Sequence, residues 1–250
     1  MFYAMGDDRL RCREMLSDRN IRFVVNSRLL FDHLTDEGFS NIAEHGVWFE
    51  PAFPDTTYYV LDREKSPKKT PKLTFLFYAR PNNQRNLYFR GIEAISGVLE
   101  RSILDPGEWE IQFVGRDLSE FLLPGGIKPI LSENLPWPDY VALIRRTDLG
   151  LSLMYTPHPS YPPLDLAACG AVAVTNRYGR KTSLKQYSKN ILCVGDDIDS
   201  LVNGIAEGIA LAKDREQRKR NYEHSGLGRD WAKALGPALQ RLDTLFLKTH

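Results

Sequence analysis

Arg80 and Arg85 stand five residues apart in Tyr78-Ala79-Arg80-Pro81-Asn82-Asn83-Gln84-Arg85-Asn86, directly after an apolar run. Guanidinium forks at that spacing, in a loop entering a helix, can clamp a diphosphate with charge-assisted hydrogen bonds; without context such a pair reads more readily as solvated loop arginines, and it is their position after a strand that favours the clamp. A second polar cluster lies downstream, in Tyr155-Thr156-Pro157-His158-Pro159-Ser160-Tyr161-Pro162-Pro163, and runs into Leu164-Asp165-Leu166-Ala167-Ala168-Cys169-Gly170. The helix that opens behind Ser160 and Tyr161 offers free backbone donors and positive potential, which suit phosphate. Asp165, in its first turn, can accept two hydrogen bonds from a ribose diol, or simply favour the helix dipole. His158 can act as a base or as a donor to a sugar hydroxyl, and a solvated loop histidine fits the sequence as well.

Other spacings lead elsewhere. Asp197-Ile198-Asp199 has the form that can hold a divalent cation, but it stands between an apolar run and an amphipathic pattern, where helix capping is the stronger account. Gly179-Arg180-Lys181-Thr182-Ser183 is no phosphate loop, because Arg180 separates the glycine from Lys181 and the upstream glycine is missing. The basic stretch Arg215 to Arg220 is interrupted by Glu216 and reads as a solvated helical face. Cys12, Cys169 and Cys193 form no Cys-x-x-Cys pair and leave an odd one over, which fits a reducing cytosol and speaks against structural zinc. With 33 basic and 32 acidic side chains the net charge is +1, so no global field gathers nucleic acid or anionic lipid, and an anion must be held locally. Apolar stretches such as Leu73 to Tyr78 fall far short of the ~20 residues a membrane span needs. The N-terminus shows no basic segment leading into an apolar one, so no secretory signal is expected.

These side chains need strand ends and helix starts to hold them. From residue 73 onward, short β-branched or aromatic runs alternate with longer helical patterns about six times, as in βαβ repetition. The expected strands are Leu73 to Tyr78, Trp109 to Val114, Ile127 to Leu131, Leu149 to Met154, Ala171 to Thr175 and Ile191 to Val194. In an open parallel sheet, ligands bind outside the carboxyl ends of the strands, where Arg80 and the proline-rich loop fall. Helices are expected from Leu87 through Ile103, after Pro138, from Pro163 to Cys169, from Ile198 to Lys213 and from Trp231 to Phe246. Ahead of them the sequence holds one smaller unit: a strand over Ile21 to Val25, Ser27 as a cap, a helix from Leu29 to Glu37 stopped by Gly38, and a strand over Val47 to Phe49. Pro51 to Lys72, rich in proline and charge, reads as a linker.

The order of these parts resembles a known family. The strand before Arg80 and Arg85, the strand ending in Phe113-Val114-Gly115, the helix Pro163 to Gly170 and the strand Ala171 to Val174 are similar to the C-terminal, nucleotide-sugar-binding half of GT-B glycosyltransferases of family 4. In that family the first-strand Arg and Lys hold the donor diphosphate, and the second Glu of a Glu-x7-Glu motif binds the nucleotide ribose. Arg80, Arg85 and Asp165 fall on those positions, and Pro157 stands where the first Glu would be. The segment Leu153 to Asp165 looks more narrowly like bacterial rhamnosyltransferases that assemble surface polysaccharides and S-layer glycans. Met1 to Gly6 and Val24 to Arg28 resemble the end of their N-terminal domain.

The resemblance implies an α/β protein: a Rossmann-like parallel sheet, the C-terminal half of a GT-B fold, with a partial N-terminal acceptor domain. Residues 1–50 would be the acceptor remnant, 51–72 the linker, 73–215 the nucleotide-sugar-binding domain and 216–250 helices returning toward the N-terminal part. The implied reaction is transfer of L-rhamnose from dTDP-rhamnose to a bacterial surface glycan, metal-independent and retaining, with no cofactor beyond the donor. Arg80, Arg85, Ser160 and Tyr161 would meet the diphosphate, Asp165 the ribose, and Tyr155 and His158 the sugar; no general base is assigned. The expected partners are the nucleotide-sugar donor and a glycan acceptor, in the cytoplasm or peripheral to the inner membrane face. A complete GT-B protein has two such domains and this chain has room for one and a part. The alternative is therefore a donor-binding module without activity of its own, or one that relies on a partner chain for the acceptor domain.

Overall fold

The computed structural model describes residues 7–58 and 71–247. The resemblance drawn from Met1 to Gly6 and the charged run Arg63 to Lys69 lie outside them. The first helix, α1 (Asp7–Ser17), is not announced by the sequence, because its charged run carries no apolar stripe. β1 (Val24–Asn26) starts later than the expected Ile21, since the Asp18 and Ile21 carbonyls are taken by the Asn41 side chain at 2.7 and 3.1 Å. Ser27 accepts the Leu30 N–H at 3.3 Å and starts α2 (Arg28–Asp36), which ends at Gly38 in the left-handed region, φ 86°. α3 (Ser40–His45) leads to β2 (Val47–Phe49), parallel to β1.

The stretch expected as a linker is packed over its first part. Phe53 and Tyr58 are buried, the Phe53 N–H donates to the Gly228 carbonyl at 2.7 Å, and α4 (Asp55–Tyr58) lies on the main sheet. Aromatic burial overrides the proline content here.

The main sheet contains β3 (Leu73–Ala79), β4 (Trp109–Gly115), β5 (Ile130–Glu133), β6 (Leu149–Leu151), β7 (Val172–Asn176) and β8 (Ile191–Val194), all parallel, in the order β5-β4-β3-β6-β7-β8. Its order reverses between β3 and β6, which opens a crevice at their carboxyl ends. One face packs on α5 (Tyr88–Glu100) and α8 (Ile198–Lys213) through Phe75, Phe77, Ile95, Val202 and Ile205. The other packs on α6 (Trp137–Arg146) and α7 (Tyr161–Ala168) through Leu76, Ile144, Leu164 and Ala173. Burial on both faces is why the strands read as continuous apolar runs.

Other expected boundaries move as well. β5 begins at Ile130 rather than Ile127, because Pro129 lacks an N–H and Ile127 is bridged back to Leu123 at 2.9 Å. β6 ends at Leu151 rather than Met154, since the Met154 N–H donates to the Asn176 side chain at 2.7 Å and leaves the ladder. α5 ends at Glu100, where Ser102 turns left-handed at φ 53° and the Ile103 N–H folds back on the Val98 carbonyl at 2.8 Å.

After α8 come α9 (Arg215–Glu223) and α10 (Trp231–Leu247), which runs back against β2. α9 is not simply a solvated face, for Arg218 is buried: its guanidinium donates to the carbonyls of Gly170 and Ala212 and pairs with Asp148 at 3.4 Å. That arginine fastens α9 to the amino end of β6 and to the turn between α7 and β7.

Candidate functional site

Arg80 leaves β3 at the point where the strand order reverses and lines a cleft of about 450 Å³ with Tyr78, Arg116, Trp137, Tyr140, Tyr161 and Asp165. Its guanidinium has no hydrogen-bond or ion-pair partner among the described residues. Gly115 sits on the same wall, and a Cβ there would collide with the Ala79 carbonyl, so only glycine lets β3 and β4 end side by side under Arg80. Arg116, just past the end of β4, adds a second cation to the cleft. Exposed Trp137 and half-buried Tyr140 at the start of α6 give it an aromatic wall. Arg85 is exposed in a 3-10 turn and is not among the lining residues; its carbonyl accepts the Tyr155 N–H at 2.8 Å and ties the two loops together.

α7 starts at Tyr161, two residues before the expected Pro163, behind Ser160 in a left-handed conformation at φ 70°. The helix start offers less hydrogen bonding than expected. Pro162 and Pro163 have no N–H to give, and the Ser160 N–H is spent on His158 Nδ1 at 2.9 Å. The Ser160 hydroxyl is also engaged, on Met154 Sδ at 3.3 Å. What remains for an anion is the Tyr161 N–H with the positive end of the helix. The Tyr161 hydroxyl accepts from Asn26 Nδ2 at 2.6 Å, which docks the N-terminal unit on the mouth of α7.

Because α7 starts early, Asp165 is not in its first turn but one turn in, and it is 3% exposed. Both carboxylate oxygens are occupied, by the hydroxyls of Tyr58 at 2.9 Å and Tyr140 at 3.1 Å. Burial pushes this carboxyl up to about 7, against the pull of the two hydroxyls. A ribose diol here would share or displace those tyrosines.

His158 is held down to about 4, first by burial and then by the charge of Lys181, so it is neutral near pH 7. Because its Nδ1 accepts a backbone N–H, the neutral ring carries its proton on Nε2, which can donate to a sugar hydroxyl but not accept its proton. Tyr155 donates to Asp196 Oδ2 at 2.5 Å, Asp196 pairs with Arg90 at 3.0 Å, and the Tyr155 ring lies 5.3 Å from that of Tyr178. Asp197 caps α8 through the Ser200 N–H at 2.8 Å and Asp199 pairs with Arg101 at 2.9 Å, so each carboxylate of the Asp-x-Asp stretch has a protein partner.

The structure thus gathers Arg80, Tyr161 and Asp165 in one cleft and sets Arg85, Tyr155, His158 and Ser160 in the loops that border it. Sequence reasoning missed Arg116, Trp137, Tyr140 and Tyr58. Arg116 follows a strand end as Arg80 does, so the same logic would have found it; Tyr58 lay in a segment read as linker.

Comparison with known proteins follows the same outline. The family described as "WsaF, C-terminal domain" matches residues 73–206, more than half of the chain. A stretch of 177 residues, 68% of this chain but 12% of the relative, is 30% identical to the O-antigen biosynthesis protein RfbC of Myxococcus xanthus. Among solved structures, sucrose-phosphate synthase of Thermosynechococcus elongatus superposes with a TM-score of 0.63 at 14% identity, over 96% of this chain and 61% of that one. HepE of Anabaena, in complex with UDP-glucose, gives 0.59 at 13% identity, over 89% and 62%. The chain therefore spans less than two thirds of the length of these relatives, and the structural likeness establishes the fold, an α/β arrangement resembling GT-B glycosyltransferases. By its sequence from β3 into α8, the chain belongs to the family of the WsaF C-terminal domain.

Proposed function

We propose that this chain binds the nucleotide-sugar donor of a glycosyltransferase and serves in building a bacterial surface glycan. The observation that carries the reading is the unpaired Arg80 at the reversal of strand order, in one cleft with Arg116, an aromatic wall and the buried Asp165. In this reading Arg80 and Arg116, helped by Arg85 and the Tyr161 N–H, hold the diphosphate and stabilise it as it departs, which needs electrostatic preorganisation and no metal. Trp137 supplies a stacking face for the base, Asp165 meets the ribose, and His158 Nε2–H and Tyr155 orient the sugar. The donor is dTDP-L-rhamnose, transferred with retention, and the acceptor lies toward Asn26 and the N-terminal unit. Support for a glycan role comes from the relative named for O-antigen biosynthesis and from the structural neighbour that holds UDP-glucose. No described helix is long and apolar enough to cross a membrane.

Titration calorimetry of the chain with dTDP, UDP and GDP, each with and without EDTA, tests the reading. Metal-independent binding, tightest for dTDP, is expected; no binding to any of the three would overturn it. A partner polypeptide that adds acceptor-binding surface belongs to the same proposal and is tested by adding it to the transfer assay described below.

A further inference from the structure

Under the loop that borders the cleft sits a cation that no carboxylate balances among the described residues. Lys181 is fully buried, which is rare for an ammonium, and its Nζ has one hydrogen bond, to the Met154 carbonyl at 3.2 Å. No carboxylate pairs with it among the described residues. The titratable groups that face it are His158, from the loop above, and Cys193, from the end of β8. Of its neighbours in the chain, Arg180 is committed to Asp36 and Tyr178 pairs with the Lys181 backbone. The same strand ends hold two more unsatisfied groups: Ser152 Oγ and Thr175 Oγ1 are buried without partners, one step beyond the Leu151–Val174 pair of β6 and β7. A buried charge met only by a carbonyl dipole is costly, and a fold can keep it where an anion arrives to compensate it.

We propose that Lys181 is a positioning residue for the donor diphosphate, holding the Met154–Ser160 loop from beneath and offering its charge to phosphate bound above that loop. The inference rests on the donor-binding reading and adds to it a group that does not touch the ligand. It also has a consequence that a purely structural lysine lacks. Burial holds Lys181 down to about 8, so in the free chain it sheds its proton as the pH passes that value. Bound diphosphate favours the charged form, so binding above pH 8 must draw a proton from solution.

The test is calorimetric titration with dTDP at pH 8.5 in two buffers of different ionisation enthalpy, with thymidine as a phosphate-free control. Uptake of roughly half a proton or more is expected with dTDP and none with thymidine, and dTDP affinity relative to that of thymidine should fall about tenfold between pH 7 and pH 9.5. Lys181→Met should abolish the uptake and flatten the pH profile, whereas Cys193→Ser should leave both in place. If Lys181→Met does not fold, the wild-type linkage decides alone. Wild-type binding of dTDP that is weakened by Arg80→Ala yet takes up no proton would overturn the role of Lys181 and leave the donor site standing. Failure of dTDP, UDP and GDP all to bind would remove both.

Discussion

Arg80 brings its charge into the cleft uncompensated, whereas Arg180 and Arg90, at the neighbouring strand ends, are committed to Asp36 and Asp196. Arg80→Ala should therefore weaken nucleoside diphosphate binding by ~1.5 to 3 kcal/mol, the range for hydrogen bonds to charged groups, without lowering the melting temperature. Calorimetry and thermal melts of the same variant check both halves. Asp165 behaves in the opposite way, since its cost is internal. Its folded carboxyl titrates near 7 against an ordinary value of 3.8, so between those values the folded chain holds a proton that the unfolded chain has released. Its contribution to stability is thus full below about pH 4 and lost as pH rises to 7. Asp165→Asn removes the titration. The stability of wild type relative to this variant should drop by roughly 4 kcal/mol between pH 4 and 8, read from denaturant melts across that range. The variant should also lose about tenfold in dTDP affinity, about 1.4 kcal/mol, if the carboxylate meets the ribose.

At the scale of elements, local signals decide where helices start and stop, and these signals were largely legible. Ser27, Gly38 and Gly170 mark helix ends as their residue types require, and Asp197 caps α8. Asp197→Ala should lower the melting temperature modestly, through loss of the cap, and leave dTDP affinity unchanged. A loss of affinity reversed by added Mg²⁺ would instead mean that the Asp-x-Asp pair holds a cation. Less legible were features fixed by distant partners. The late start of β1 depends on Asn41, and the burial of Phe53 and Tyr58 depends on the sheet and on Gly228. Nothing in the local sequence around Pro51 reports those contacts. The site divides along the same line. Arg80 and Asp165 could be picked out from strand and helix order, but the tyrosine pair on Asp165 joins α4, α6 and α7, and only the tertiary structure brings them together.

For the whole molecule the question is what stands opposite the donor. The N-terminal unit is anchored to the main sheet by Asp36 to Arg180, Glu50 to Tyr187 and Asn26 to Tyr161, so it is held in place over the strand ends rather than hung on a tether. Yet its sheet has two strands, and of the unit that extends from α1 through α4 the side chains of Asn26 and Tyr58 are those bonded to cleft residues. In the proposed reading, donor binding draws mainly on the main sheet, α6 and α7. Sugar transfer also needs an acceptor hydroxyl fixed near the anomeric carbon, and forfeiting that positioning can cost ~7 to 11 kcal/mol of the barrier. These 250 residues on their own should accordingly bind nucleotide with measurable affinity and transfer sugar at a negligible rate. A coupled or radiolabelled assay at catalytic concentration, with dTDP-rhamnose and a bacterial glycan acceptor, decides between the outcomes. Sustained multiple turnover would show that the surface around Asn26 suffices as an acceptor site. Binding without turnover, restored by an added polypeptide, would place acceptor recognition on that second chain.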